Sequence, residues 1–287
     1  MSELDPRVTP AKPNLAAEHL RGKVTAPRYT RGITLEIVVP KTNLLREPNV
    51  GGQLESELLF GERFVAYELD EHFTWGQAEY DGYVGYVTAS SLAATGAAAT
   101  HRVSVRQSRT YTEPSGKAFS PYALSLGSKV AAVGDRGRFL EVASPSGPNL
   151  FVPSSHLTAL AERADDFVAV AAIFLGVPYL WGGRTSAGLD CSALVQLALA
   201  EAGIKAPRDS DQQREAVGEA IGGAEALAQM HRGDLVFWKN HVAIAFDERR
   251  IIHANALAMA VSIDEVAPFA RAAEASDGPV IAVKRLK

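Results

Sequence analysis

The chain has 287 residues, 47% hydrophobic and 22% charged, proportions typical of an ordinary soluble protein of about two or three domains. Its 29 basic and 33 acidic residues give a net charge of −4, which excludes the basic footprint expected for binding nucleic acid or an anionic membrane. No run of 18 apolar residues exists, and residues 1–7 lack the pattern of a signal peptide. A single cysteine suits a reducing compartment, so we expect a cytoplasmic protein unless a precursor carried an export signal.

The first half of the chain predicts β structure. Residues 1–30 contain four prolines and read as an arm that packs on the body. Residues 31–98 and 99–160 carry short alternating apolar segments broken by Gly, Pro and Asp, which predicts two small all-β barrels with a boundary in the Ala-rich stretch 93–99. Both stretches resemble bacterial SH3-like domains, in which a strand such as Gly85-Tyr86-Val87 precedes the last turn.

Residues 161–287 predict a third domain in which helices precede a sheet. An acidic start and an apolar stripe predict a helix over 165–174, and a second helix runs from Cys191 to about Ala202, before Gly203. A polar helical region follows at about 211–230, and strands begin at Asp234. This order is typical of an α+β fold.

Cys191 is the candidate nucleophile. It follows the glycine-rich stretch 182–190 and opens an apolar helix, where unpaired N–H groups and the helix dipole favour a thiolate. A buried core cysteine is the alternative, but such a residue has no need of the polar neighbours Asp190 and Ser192. The context therefore favours catalysis.

Two histidines are candidates for the base and its orienter. His241 opens an alternating run and His253 ends the next predicted strand. With Asp247-Glu248 at the hairpin tip, the two histidines lie directly opposite each other, with Cβ atoms roughly 5 Å apart. We expect His241 to act as the base and His253 to orient it.

The motifs around these residues resemble those of the NlpC family of bacterial cell-wall cysteine peptidases. The resemblance covers about residues 163–265, and Ala193 departs from it, because the family usually has Gly after Cys-Ser. It rests on five blocks: Phe174-Leu175-Gly176-Val177-Pro178-Tyr179-Leu180-Trp181-Gly182-Gly183, Leu189-Asp190-Cys191-Ser192, Pro207-Arg208-Asp209-Ser210, Gly233-Asp234-Leu235-Val236-Phe237-Trp238, and His241-Val242 with His253-Ala254.

The resemblance implies a papain-like catalytic domain that follows two SH3-like domains. It also implies hydrolysis of the γ-D-glutamyl-diamino acid bond of peptidoglycan stem peptides, and in the subgroup with two SH3-like domains these are short murein peptides with a free N-terminal L-alanine. The site residues that it implies are Tyr179, Asp190, Ser192, Arg208 and Ser210, together with Tyr83 from the first barrel.

These residues have assigned roles and open alternatives. Asp190 pairs with the substrate ammonium or merely caps the helix, and Ser192 adds a hydroxyl. Arg208 clamps a substrate carboxylate or holds a loop. Tyr179 is a donor to the oxyanion or a packed aromatic. Tyr86 or Tyr80 could replace Tyr83 as the contact to the substrate amine. Trp181 and Trp238 fit cleft walls and core equally well.

We expect a Cys191 thiolate and a His241 imidazolium, formed as an ion pair before substrate binds. No metal or cofactor is implied, because the single cysteine and the separated histidines do not give zinc spacing. The other hypotheses are an exported hydrolase or amidase that remodels intact wall, a thiol acyltransferase on the same fold, and a non-catalytic binding module. The oligomeric state stays open.

Overall fold

The computed structural model describes residues 4–145 and 147–286. The chain divides into two compact units, Met1–Leu160 and Ala161–Lys287, and the second begins where the sequence predicts the third domain to begin. Residues 1–3 lie outside the described residues. They belong to the predicted arm and to the segment 1–7 that lacks the pattern of a signal peptide. So do Ser146 of the second predicted barrel and Lys287.

The N-terminal arm forms a small sheet of its own. Its core is Ala16, Ala17 and Leu20, against which Tyr67 packs. The arm is therefore an ordered part of the first unit. Its strands are β1 (Ala11–Lys12), β2 (Leu15–Ala17) and β3 (Tyr29–Thr30), in the order β1-β2-β3.

The first predicted barrel is a seven-stranded antiparallel sheet. Its inward side chains alternate along the strands, as Phe64 and Ala66 do, and they build a core that includes Ile37, Leu44 and Tyr83. The strand order is β10-β4-β7-β8-β9-β5-β6. The strands are β4 (Ile33–Ile37), β5 (Lys41–Leu45), β6 (Leu54–Leu59), β7 (Arg63–Leu69), β8 (Phe73–Ala78), β9 (Val84–Thr88) and β10 (Leu92–Ala94).

The second predicted barrel is also all-β. It consists of three small sheets, ordered β14-β11-β18, β12-β13 and β15-β16-β17, around a core that includes Val103, Leu124 and Val152. The strands are β11 (His101–Val103), β12 (Gln107–Arg109), β13 (Ala123–Ser125), β14 (Lys129–Val130), β15 (Ala132–Asp135), β16 (Phe139–Val142), β17 (Leu150–Pro153) and β18 (Leu157–Ala159).

The second unit has the predicted α+β architecture. Its six-stranded antiparallel sheet has the order β21-β26-β22-β23-β24-β25. The helices are α1 (Phe167–Ala172), α2 (Cys191–Glu201), α3 (Ser210–Ala216) and α4 (Val266–Asp277). The strands are β19 (Arg184–Thr185), β20 (Gly188–Leu189), β21 (Glu219–Gly222), β22 (Leu235–Phe237), β23 (Val242–Ala245), β24 (Arg250–Asn255), β25 (Ala260–Glu265) and β26 (Ala282–Arg285).

Helix α2 lies at the centre of this unit. Ten of its eleven residues are buried, because it packs against α1 on one side and against β23 and β24 on another. The predicted end at about Ala202 is correct to one residue, and Gly203 follows with φ of +80°, a left-handed conformation that favours glycine. The sheet thus holds the histidine strands directly against the helix that begins at Cys191.

The prediction of a polar helical region at 211–230 is wrong after its first turns. Helix α3 ends at Ala216, and Glu219–Gly222 instead forms the edge strand β21, which pairs with β26. Gly218 has φ of +67° and Gly222 has φ of +149°, so the chain leaves the helical region at both ends of this strand. After this strand, the predicted region contains a short 3-10 helix, Ala224–Gln229.

Candidate active site

Cys191 occupies the first position of α2, as predicted. Asp190 is the N-cap and accepts a hydrogen bond from the Ala193 N–H at 2.9 Å. The turn before it requires glycine, because Gly182 has φ of +76° and a Cβ on Gly183 would lie 2.6 Å from the Gly188 carbonyl oxygen. The Cys191 side chain is buried.

The two histidines are neighbours, as predicted. Nε2 of His241 lies 2.7 Å from Nδ1 of His253, and the ring centroids are 5.0 Å apart. The predicted register was wrong by two residues, because Ile244 pairs with Ile252 and Ala245 with Ile251. The imidazoles therefore meet on a diagonal of the sheet, a distance that long side chains still span.

The cysteine and histidine elements meet at β23. The backbone N–H of Val242, the residue directly after His241, hydrogen-bonds the Cys191 sulfur together with the N–H of Ser192. Because Nε2 of His241 is engaged by His253, its Nδ1 is the nitrogen left for the thiol proton. The nucleophile, base and orienter thus come from α2, the start of β23 and β24.

A polar chain continues behind His253, and sequence reasoning missed it. Nε2 of His253 lies 3.1 Å from Oδ2 of Asp264 and 3.1 Å from Nδ2 of Asn255. Ser262, which pairs with His253 across the strands, donates to Asp264 at 2.5 Å. Period-two alternation in β25 places Ser262 and Asp264 on one face, which is the signal that would have identified them.

An aromatic cover was also missed, because no helix was predicted at 266–277. Phe269 of α4 lies with its ring centroid 4.3 Å from that of His253 and 5.6 Å from that of His241. Trp238 is buried, with its ring centroid 5.4 Å from that of His241, so it belongs to the core. Trp181 is 61% exposed. The histidine pair is therefore enclosed by rings and shielded from water.

Asp190 and Arg208 form a buried, bidentate ion pair. Nη1 and Nη2 of Arg208 lie 2.9 and 2.7 Å from the two carboxylate oxygens of Asp190. Nη1 also donates to the Ser192 hydroxyl at 2.9 Å, and Gly182 N–H donates to Asp190 at 2.9 Å. This arrangement fits the alternative that Arg208 holds local structure, because its side chain is 1% exposed and contacts Asp190, and its contact with a substrate carboxylate stays a prediction.

Burial shifts the pKa values of Cys191 and His241 in opposite directions. It raises the pKa of the Cys191 thiol to about 12, with a further rise from Asp190 that outweighs the opposing charge of Arg208. Burial, together with the neighbouring His253, lowers the pKa of His241 to about 3. Desolvation thus disfavours the charged form of each group, and the predicted thiolate-imidazolium pair stays a prediction.

The raised pKa of Cys191 predicts how its alkylation depends on pH. Below its pKa the thiolate fraction of a thiol rises about tenfold per pH unit, so the rate of Cys191 alkylation by iodoacetamide should climb steadily from about pH 6 to pH 9. N-acetylcysteine, with an ordinary thiol pKa, serves as the control and should level off near the top of this range. A rate for Cys191 that is flat across the range would instead indicate the preformed ion pair.

The remaining predicted residues occupy different places. Tyr179 is half-buried, and burial together with Cys191 and Asp190 raises the pKa of its phenol, which stays protonated. Ser210 is half-buried at the start of α3. Tyr83 lies in the first unit, where its ring belongs to the core and its hydroxyl donates to Glu55 at 3.3 Å. Substrate contact by these residues, or by Tyr80 or Tyr86, stays a prediction.

Within residues 4–145 and 147–286, no group of three or more His, Cys, Asp or Glu side chains is arranged to hold a metal ion. In the same part of the chain, no helix has the length and apolarity needed to span a membrane.

Comparison with known families identifies two parts of the chain. Residues 176–271 match the NlpC/P60 family, and residues 44–92 match the bacterial dipeptidyl-peptidase SH3 domain. These matches confirm the resemblance seen in the catalytic motifs and in the first barrel. The resemblance of the second barrel to an SH3-like domain stays a prediction.

Two relatives are similar over part or most of the chain. Gamma-D-glutamyl-L-lysine dipeptidyl-peptidase from Bacillus subtilis is 29% identical, over 39% of this chain and 40% of the relative. Dipeptidyl-peptidase 6 from Lysinibacillus sphaericus is 25% identical, over 82% of this chain and 93% of the relative. The chain thus spans less than half of the Bacillus subtilis relative and most of the Lysinibacillus one.

A solved structure shares the fold. An NlpC/P60 family protein from Bacillus cereus superimposes with a TM-score of 0.74 and 18% identity, covering 88% of this chain and 99% of that one.

Proposed function

We propose that this chain, whose residues 176–271 are an NlpC/P60 domain, is a cysteine peptidase that hydrolyses the γ-D-glutamyl-diamino acid bond of peptidoglycan stem peptides. The observation that carries the proposal is Cys191 at the start of α2, next to a His241-His253 pair joined at 2.7 Å. The similarity to a gamma-D-glutamyl-L-lysine dipeptidyl-peptidase from Bacillus subtilis supports this choice of bond.

In the proposed reaction, Nδ1 of His241 takes the thiol proton as the Cys191 sulfur attacks the γ-D-glutamyl carbonyl. Because burial disfavours the charged forms of both groups, we place this transfer during the attack. His253 accepts the Nε2–H of His241 and so stabilises the imidazolium as it forms.

The tetrahedral oxyanion then needs hydrogen-bond donors. The backbone N–H of Cys191 at the helix start and the protonated phenol of Tyr179 are the proposed donors. His241 returns its proton to the leaving amine of the diamino acid. Water, deprotonated by His241, hydrolyses the thioester and frees both the acid and the thiol.

The proposed substrates are short murein peptides with a free N-terminal L-alanine. The Asp190 carboxylate acts on the Cys191 sulfur and raises its pKa, and a carboxylate near the nucleophile favours an ammonium group there. Asp190 already accepts bonds from Gly182, Ala193 and Arg208. We therefore assign it mainly this electrostatic role, with Ser192 and Ser210 as proposed contacts. A recycling role in the cytoplasm, acting on such peptides, is part of the proposal.

Incubation with L-Ala-γ-D-Glu-diaminopimelate in water enriched in heavy oxygen tests the reaction. Hydrolysis predicts free diaminopimelate and L-Ala-D-Glu that carries one heavy oxygen in its new carboxyl group, as seen by mass spectrometry. An acyl group joined to an added amine, without incorporation of heavy oxygen, would instead indicate an acyltransferase. No reaction with any stem peptide would indicate a binding module.

A further inference from the structure

The environment of His253 Nε2 is unusual because it faces two groups of opposite kind. On one side is the Asp264 carboxylate, a pure acceptor, at 3.1 Å. On the other is Nδ2 of Asn255, a donor, also at 3.1 Å. The Asn255 orientation is set elsewhere, because its Oδ1 accepts from the Ala258 N–H at 2.7 Å and its Nδ2 donates to Ser262 at 2.8 Å.

The Asp264 carboxylate, rather than the Asn255 amide, determines whether Nε2 of His253 carries a proton. Burial would raise the pKa of Asp264, but hydrogen bonds from Ser262 and His253 outweigh it and hold that pKa below its usual range. Asp264 is therefore a carboxylate at neutral pH. A hydrogen bond to a carboxylate is roughly twice as strong as one between neutral groups, so His253 carries its proton on Nε2.

The tautomer of His253 determines the tautomer of His241, the proposed base. A neutral imidazole has one donor and one acceptor nitrogen, so a proton on Nε2 of His253 leaves its Nδ1 as an acceptor. Nε2 of His241, 2.7 Å away, must then donate to it. The lone pair of His241 is thereby placed on Nδ1, where the thiol proton has to go. With the opposite tautomers, Nδ1 of His241 would carry a proton and could not accept another.

We propose that Asp264 is a positioning residue that sets the tautomers of both histidines, with Ser262 holding its carboxylate in place. Asp264 acts through His253 and touches neither Cys191 nor the substrate in this mechanism. The proposal rests on the peptidase function proposed above, but the tautomers themselves are measurable without substrate.

The first test is the tautomer measurement on the full-length protein labelled with ¹⁵N at histidine. Nitrogen NMR should show Nε2 protonated and Nδ1 bare in both His241 and His253, assigned with His253→Gln. A protonated Nδ1 on either ring would overturn the proposal, whether or not the protein cleaves any peptide.

The second test relocates the carboxylate. Asp264→Ala leaves only the Asn255 donor at Nε2 of His253. It should lower kcat about 100-fold with little change in KM, because general-base catalysis by His241 depends on the group that orients it. Adding Asn255→Asp keeps an oxygen for Ala258 and puts a carboxylate where the donor stood. The double variant should regain at least about tenfold in kcat, and NMR should show its tautomers restored.

Glu265→Ala is the matched control, because it removes the adjacent exposed carboxylate, which has no side-chain capping bond. Its kcat should stay within about twofold of wild type. An Asp264→Ala enzyme with the same kcat as Glu265→Ala would contradict the proposal. The proposal would also be contradicted if the double variant kept the low kcat of Asp264→Ala while its melting temperature equalled that of wild type. In that case kcat would not depend on a carboxylate at Nε2 of His253.

Discussion

Replacement of Cys191 by alanine is expected to lower peptide cleavage by at least about 10³-fold while the fold stays intact. The thiol supplies the only bond to the acyl group in the proposed reaction, and removing a catalytic nucleophile typically costs several orders of magnitude. The substitution deletes one buried sulfur next to Asp190 and breaks no ion pair, so the unfolding midpoint should change little.

The measurement is the kcat of wild type and of Cys191→Ala on the same peptide, with circular dichroism as the check on folding. Ala193→Gly is a useful companion, because it changes the same helical turn and leaves the thiol in place. Its turnover should remain close to that of wild type. Cleavage by a folded Cys191→Ala at a tenth of the wild-type rate would exclude Cys191 as the nucleophile.

Arg208→Met is expected to destabilise the second unit by about 3–5 kcal/mol, the usual cost of removing one partner of a buried ion pair. Methionine fills much of the arginine volume, but it leaves the Asp190 carboxylate, whose side chain is 10% exposed, without its charged partner. Ser192 loses a donor as well. Because Asp190 caps the helix that starts at Cys191, we also expect lower kcat in the variant at temperatures where it remains folded.

The free energy of unfolding in urea measures this effect. Arg250→Met is the matched control: the same chemical change breaks an ion pair with Asp247 in which the arginine side chain is 50% exposed. Exposed pairs are worth about 0–1 kcal/mol, so the control should unfold almost as wild type does. Equal destabilisation by the two substitutions would show that the Asp190-Arg208 pair does not stabilise the base of the site.

The sequence was sufficient for features that depend on local patterns. Cys191 at a helix start, Gly203 after the helix and the all-β first half all follow from periodicity and from Gly placement, and the structure contains them. The pairing of His241 with His253 was also foreseen, although the hairpin register was not, because the turn at 247–249 is longer than assumed. Register errors of two residues preserve the face of the sheet, so the histidines still meet.

Features set by tertiary contacts were beyond reach. Helix α4 buries Val266 and Ala273, and the position of its Phe269 ring over the histidines depends on where the helix packs, which no local pattern specifies. The ion pair of Arg208 with Asp190 joins residues 18 positions apart, and the raised pKa of Cys191 depends on how deeply the thiol is buried. Both depend on how the helix and loops pack, which composition and spacing do not specify.

The central claim is a cysteine peptidase specific for short peptides with a free amino terminus. We would compare kcat/KM for L-Ala-γ-D-Glu-diaminopimelate, its N-acetylated form and intact peptidoglycan, with Cys191→Ala as the blank. The account predicts cleavage of the free peptide at the γ-D-glutamyl bond and at least about 100-fold less of the acetylated form, because acetylation removes the ammonium charge. Equal cleavage of both peptides, or cleavage of intact wall alone, would contradict it and indicate a wall-remodelling enzyme.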